Sequence, residues 1–578
     1  MTPRRMAGGA LGMCGERETM NRTAFGLAIA AGALFLAACG GGEDPGESLA
    51  QQAADERILH RGNTAEPLSL DPHKAAGKWE DAIIGDMFIG LYTDNAAAEP
   101  IYGMAESHTV SNDGKTWTFT LRDAQWSDGT PVTANDFEFA FRRIMDPSTL
   151  SQYASLLYVI KNAQPVNEGA MDPEQLGVTA VDEKTLRIEL EYPAPYLPGL
   201  LTHHTAFPVP RHVIDEYGAA WIQPGNVVVN GPFKLTEWRT NDYVHVAKNK
   251  MFYDAEKVCL NEIYYYPTND NNAAVRRLRA GELHINSEFP GQKIEELREQ
   301  LPGYVRVSPF LATVYYVYNV QRPPFDDVRV RQALAMALGR EFMVDEILKT
   351  GQLPAPGLVP PGIANYGGGA KVDWWDMSTD ERKTRARELL EEAGYGPDNP
   401  LRFEYTHRNT SDNPRVAPVV QADWENIAEW VDVEITGVET QIHYDNLRAG
   451  NFDVGDAAWA SDFNDPINFL YLLETKTGQM NYGKYSNPRY DALIEESNRT
   501  LDMDQRAQLL REAEQIMLDD MPIIPMWYFV TKNLVSPEVT GWEDNVVDIH
   551  RSRYLCFEDA DSTDAGTVSE AAPDAAGG

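Results

Sequence analysis

Cysteine is scarce: Cys14, Cys39, Cys259 and Cys556 are all there are in 578 residues. That excludes a disulfide-dense miniature fold, and the absence of paired cysteine spacing excludes a zinc ribbon. Basic residues are also few. Fifty Lys and Arg face 87 Asp and Glu, a formal charge of −37, which argues against nucleic acid or an anionic bilayer as the main partner. After residue 39 no run is apolar enough to span a membrane. Catalytic motifs are missing too. There is no G-x-S-x-G elbow and no H-E-x-x-H, and Gly367-Gly368-Gly369 lacks the Lys-Ser/Thr of a phosphate loop. His203 and His204 are adjacent and on a strand would point to opposite faces, a weak metal pair. Neither an enzyme nor a bound metal or cofactor is expected.

What is present suits a large exported protein. Hydrophobic residues make up 43% and aromatics 10%, enough for large cores, and the length implies two to four domains. Met20–Cys39 reads as an export signal: Asn21-Arg22, the apolar run Ala24–Leu36, then Leu36-Ala37-Ala38-Cys39, which matches the lipobox of bacterial lipoproteins. Residues 1–38 would then be a signal peptide, with Met20 a candidate start, and Cys39 the lipidated mature N-terminus. Residues 39–50 read as a flexible tether and 558–578, with no Lys or Arg, as a disordered acidic tail.

The chain between these ends alternates strand and helix patterns, which predicts an α/β architecture. Ile58–Lys74 reads as a short strand and a Pro-punctuated loop, and Asp81–Leu91 has helical apolar spacing. Lys115–Leu121 alternates Trp117, Phe119 and Leu121 against threonines. Thr133 with Asp136, and Ser378 with Glu381, predict capped helices to Arg143 and to about Gly394. Asp504–Leu518 predicts another helix, and Val181–Glu191, the stretch from Phe233 and Arg553–Phe557 read as strands.

One stretch stands apart: Phe452–Pro466, FDVGDAAWASDFNDP. Small and apolar residues predict a buried strand that another backbone can approach. It runs into Asp462, Asn464 and Asp465. One reading is an acidic turn in which Asn464 or Asp465 caps a helix over Ile467–Leu473. The other leaves Asp462 unpaired for a cationic ligand, because a carboxylate beside a buried strand is costly unless paired.

Trp459, Asp462, Phe463, Asn464 and Pro466 match the W-x-x-D-[YF]-N-x-P run of the solute-binding proteins of peptide ABC transporters, where the Asp holds the peptide's ammonium. Met104–Arg143 resembles that family's long N-terminal signature. Glu66–Lys74, Phe325–Arg340 and Trp527–Val530 match as well, so the resemblance covers roughly residues 56–557. It implies the two-lobed periplasmic-binding-protein fold (type II, cluster C) with an extra domain inserted in the first lobe. Lobe I would be 51–88, 212–311 and 524–557, the extra domain II 89–211, and lobe III 312–523. The resemblance implies that Ala458 and Ala460, facing the backbone near Lys78, pair with an extended peptide as an added strand. Trp459, Tyr153, Tyr315 and His203 become candidate cleft residues, each with ordinary packing as the alternative. Cys259 and Cys556 both fall in lobe I on this layout. They are candidates for a disulfide or for two buried small hydrophobes.

Three departures stand out. Asp456 occupies the place of an Arg that takes a short peptide's carboxylate in enteric receptors, so a free C-terminus is expected to be disfavoured there if Asp456 faces the cleft. Asn413-Pro414 replaces a His that follows the run Asn409–Asp412, with Arg415 or Arg448 as substitutes. Thr440 stands where a Trp is usual. The expected function is a lipid-anchored protein of the periplasm or cell envelope that delivers oligopeptides to an inner-membrane ABC permease. It is expected to act as a monomer. The alternatives are a receptor of the same fold for a murein peptide or other solute, and an exported hydrolase.

Overall fold

The computed structural model describes residues 56–409, 412–461 and 463–558. The signal segment, Cys39, the tether, the tail from residue 559, and Thr410, Ser411 and Asp462 lie outside the described residues. Among those described, ten strands form one ladder. In chain order they are β1 (Ile58–Gly62), β2 (Phe233–Arg239), β3 (Tyr243–Lys248), β4 (Glu262–Tyr266), β5 (Ile285–Ser287), β6 (Val305–Tyr318), β7 (Leu401–Arg408), β8 (Val431–Val438), β9 (Val454–Ala460) and β10 (Ile523–Val535). Their spatial order is β8–β7–β9–β6–β10–β5–β1–β4–β3–β2, and Leu353–Pro354 adds a short pairing to β10.

The long antiparallel pair β6 and β10 carries the ladder from one core to another. Val305–Pro309 pair with Leu534–Val530, the register shifts, and Thr313–Val317 pair with Tyr528–Ile523. Beside the first half, β5 pairs with Ile285 opposite Val535. Beside the second half, β9 pairs with Val454 opposite Tyr318. The first six residues of β6 are half-buried and the last eight buried. One core gathers side chains from Leu59 to Ile285 and a few near the C-terminus, Val539 and Phe557 among them. The other gathers Leu311 to Trp527 with Val546.

The first core also holds a separate four-stranded sheet, ordered Ala105–Val110, Thr116–Leu121, Thr185–Glu189, Val178–Ala180. Alternation explains its middle strand: Trp117, Phe119 and Leu121 are buried. Helix α1 (Lys78–Met87) is shorter than its apolar pattern predicts. Phe88 turns extended, and Asn230 grips the next residue, donating to the Ile89 carbonyl at 2.8 Å and accepting its N–H at 3.0 Å. Helix α2 (Ala134–Met145) begins where the Thr133 N–H donates to the Asp136 carboxylate at 2.8 Å. Val181–Lys184 is a turn rather than strand, because Asp182 accepts from the Lys184 N–H at 2.8 Å. Helix α3 (Thr379–Glu392) starts on the predicted Ser378–Glu381 box, and α4 (Met503–Asp520) buries Ala507, Leu510, Ala513 and Met517. The glycine run 367–369 has a structural explanation. Buried Glu514 of α4 accepts from the Leu358, Val359 and Ala370 N–H groups and the Tyr366 hydroxyl, at 2.7–2.9 Å, and so wraps that loop around itself.

The C-terminal segment is bound into the first core. Buried Arg551 donates to Asp81 Oδ2 and Asp94 Oδ2, both at 3.1 Å, and His204 Nδ1 lies 2.9 Å from Asp81 Oδ1. Gly85 of α1 makes room: a Cβ there would lie 1.7 Å from the Arg551 guanidinium. Only Cys556–Phe557 of the predicted last strand is extended. Ser552–Tyr554 forms a 3-10 turn, because the Ser552 N–H is held by Asp86 at 2.9 Å. Cys259 and Cys556 are bonded, with Cα atoms 5.5 Å apart, well within disulfide reach.

That bond closes a loop of 297 residues, so it restricts the unfolded chain strongly. Replacing both cysteines by serine is expected to lower stability by about 2–4 kcal/mol in urea unfolding. A reductant should shift the wild type and leave the double variant unmoved. Equal midpoints for oxidised wild type and double variant would contradict this.

Candidate functional site

Strand β9 emerges from the second core as it runs. Val454–Ala457 are buried, Ala458 and Trp459 half-buried, and Ala460 exposed. On one side it is paired with β6 along its whole length. On the other, β7 pairs in parallel only at Tyr405↔Val454 and Thr406↔Gly455. The Asp456 carbonyl is taken by His443 Nε2 at 2.7 Å, and from Ala457 to Ala460 no strand covers that edge among the described residues. The Ala458 backbone is engaged by the Tyr444 hydroxyl, and where the N–H and C=O groups of a strand edge are otherwise uncovered they are a template for an added strand. The side chains there are small, apart from Trp459, so a ligand backbone can come close.

The turn that follows is anchored on both sides of Asp462. Asp465, 4% exposed, forms a two-pronged pair with fully buried Arg506 of α4, Nη1–Oδ2 2.6 Å and Nη2–Oδ1 2.8 Å. A buried pair of this geometry holds position well because breaking it strands a charge. Asp465 also accepts the Ile467 N–H at 2.9 Å, although Pro466, not Asn464 or Asp465, holds the cap position. The helix it starts is a single α-turn, Ile467–Leu470, that tightens into a 3-10 turn to Leu473. Asn464 accepts the Ala364 N–H at 3.0 Å, and Ser461 Oγ donates to the Phe463 carbonyl at 2.6 Å. Trp459 Nε1 donates to Asn468 at 2.8 Å. Phe463 stacks on Tyr196 with ring centres 5.2 Å apart, and the Arg506 guanidinium lies over Tyr196 at 5.8 Å. Tyr196 and Phe463 are the two partly buried aromatics that pack against both large cores.

The other candidate residues fall elsewhere. Tyr153 and His203, both half-buried, lie with tilted rings 5.6 Å apart, and the His203 ring lies tilted 4.1 Å from that of His204. Burial and the neighbouring His204 pull the His203 imidazole down to about 3, so at neutral pH it is uncharged and cannot balance a ligand carboxylate. Tyr315 is 4% exposed and opposite Ala457 within the second core. Exposed Lys78 pairs its ammonium with Asp548 and lies 5.1 Å from the Phe310 ring centre on β6.

The expectation built on Asp456 needs correction. Its side chain is 0% exposed. Arg408, at the end of β7, donates to it from its backbone N–H at 2.6 Å and from Nε at 2.7 Å, and Asn413 adds a bond at 3.2 Å. Asp456 therefore presents no like charge to a ligand carboxylate, because an Arg on the adjacent strand neutralises it. Of the proposed substitutes, Arg415 is engaged by Asp412 at 2.7 Å and Arg448 by Asp445 at 2.9 Å. Arg408, Arg506 and Tyr196 were not singled out from the sequence. Each partner lies tens of residues away or more, so only the fold brings them together.

Comparison with known proteins places this geometry. Residues 99–481 match the family described as "Bacterial extracellular solute-binding proteins, family 5 Middle". The chain is 38% identical to the periplasmic oligopeptide-binding protein OppA of Salmonella typhimurium over 500 residues, 85% of this chain and 90% of that one. It superposes with a TM-score of 0.84 on MppA, a periplasmic murein tripeptide binding protein, in its unliganded open form, at 36% identity over 87% of this chain and 98% of that one. Against Haemophilus influenzae OppA in complex with the peptide RPPGFSPFR the TM-score is 0.64, at 33% identity over 87% of this chain and 99% of that one.

Replacing Arg408 by Met leaves buried Asp456 without its main partner. Stability should fall by about 3–5 kcal/mol, and adding Asp456→Leu should recover most of it. Urea titrations of the single and double variants measure both. A loss under about 1 kcal/mol for Arg408→Met would show that the pair does not hold β7 to β9.

Proposed function

The chain belongs to the bacterial extracellular solute-binding proteins of family 5, and on that premise we propose that it captures oligopeptides in a cleft between two lobes and hands them to an inner-membrane ABC importer. The observation that carries this reading is the uncovered edge of β9, which ends in a turn anchored on both sides of Asp462. Ala458 and Ala460 offer backbone groups to the peptide, the chain near Lys78 offers them from the opposite lobe, and Asp462 takes the ammonium. Trp459, Tyr153 and His203 border the cleft. Reading backbone and ammonium alone allows many sequences to bind, and hydrated pockets for side chains preserve that tolerance.

Lobe I comprises 51–88, 212–311 and 524–557, lobe III 312–523, and domain II 89–211. Support comes from the two cores, which meet along the β6–β10 pair. The better superposition on an unliganded open form than on a peptide complex supports an open resting state. Peptide then closes the lobes because it contacts both only when they are together. Export with a lipid at Cys39 would hold the monomer beside its permease in the periplasm. The Cys259–Cys556 bond fits an oxidising compartment.

Asp462→Asn tests the assignment. Closure takes carboxylate and ammonium out of water, so losing one partner costs roughly 3–5 kcal/mol. Peptides with a free N-terminus should bind about two to three orders of magnitude more weakly. N-acetylated peptides should bind the wild type poorly and respond little to the substitution. Calorimetry showing unchanged affinity for free peptides would reduce Asp462 to a turn residue and remove the ammonium site.

A further inference from the structure

A cavity lies in the first-core half of the molecule, between β1, α1, β5 and the loop that precedes the C-terminal strand. Its lining includes Arg61, Lys78, Trp79, Asp548 and His550. Arg61 is 3% exposed, yet it makes no ion pair among the described residues. Among the described residues its side chain makes one hydrogen bond, from Nη1 to the His550 carbonyl at 2.9 Å, and its Nε is buried with no partner. Trp79 Nε1 is buried in the same condition. Both orphans are N–H donors, so what they lack is an acceptor.

The carboxylates in reach are already committed. Asp81 serves His204 and Arg551. Asp548 accepts from Asn533 at 2.6 Å, from His550 at 3.1 Å and from Lys78. Glu288 pairs with Lys532 at 3.1 Å. Asp86 is turned to Tyr265 and the Ser552 N–H. Asp86 acts on Arg61 only at a distance, and a buried guanidinium that no carboxylate bonds among the described residues is costly; Arg61 lines the cavity, which has room for the missing anion.

We propose that this cavity binds a carboxylate of the peptide ligand, an inference that rests on the oligopeptide reading above. Arg61 and Trp79 line it and carry N–H groups with no partner among the described residues. Lys78 lines the same cavity half exposed, and its ammonium has donors beyond those that Asp548 uses. The carboxylate has two possible sources, an acidic side chain or the C-terminus. The chemistry is the same for both, and the cavity lies against β1, α1 and β5 rather than β9.

Isothermal titration with tri- to pentapeptides separates the sources. One arm compares Glu with Gln at each position, and the other compares free acid with amide. An advantage of about tenfold for Glu at one position identifies the side chain, and the same advantage for the free acid identifies the terminus, as a charge-assisted pair warrants. Trp79→Phe keeps a ring and removes the N–H, so it should narrow that ratio several-fold. Lys78→Met should narrow it as well, whereas Arg61 is too buried for a clean substitution. Equal affinities in both arms would overturn the proposal, water then being the occupant, and would leave the peptide reading intact. A ratio unmoved by both variants would also overturn it. If no peptide binds at all, both readings fall.

Discussion

The pairing of β6 with β10 is the constraint on which the rest depends. These two strands are hydrogen-bonded to each other through both halves of the ladder, and the register shift after Pro309 falls where the partners change from β5 to β9. A shift in a strand pair bends and twists it locally. The same ladder therefore joins two separately packed cores and leaves a place for bending between them. Everything the proposed cleft needs follows from that: two rigid bodies, a shared backbone, and an uncovered edge on the far side of β9.

Each body is stiffened by buried charge that is matched locally. Arg551 with Asp81 and Asp94 binds the C-terminal segment to the first core, together with the disulfide. Arg506 with Asp465, Arg408 with Asp456, and the four-fold satisfied Glu514 do the same in the second. Such networks carry a high penalty for partial breakage, so each holds its own surroundings together. Across the gap, Tyr196 and Phe463 touch beside the turn that carries Asp462. This contact links the position of that turn to the approach of the two bodies.

Much of the fold was legible where local physics decides it. The alternation at Lys115–Leu121, the capping pairs at Thr133 and Ser378, and the apolar face of Asp504–Leu518 all appear at or within a few residues of the predicted places. The misses have tertiary causes. Asn230 halts the helix expected to reach Leu91, and Asp86 turns residues 552–554 away from strand. At the candidate site, the small residues of β9 and the anchored turn were readable as a motif, whereas the pairing of Asp456 with Arg408 was not. Arg408 lies 48 positions away and only the parallel pairing of β7 and β9 brings it alongside.

The central claim is that a peptide draws the two bodies together about the β6–β10 pair. Small-angle X-ray scattering of the protein, with and without a saturating mixture of tri- to pentapeptides bearing free N-termini, tests it most directly. The account predicts a smaller radius of gyration with peptide, reversed when the peptide is removed. An unchanged radius at a concentration where binding is complete would contradict it.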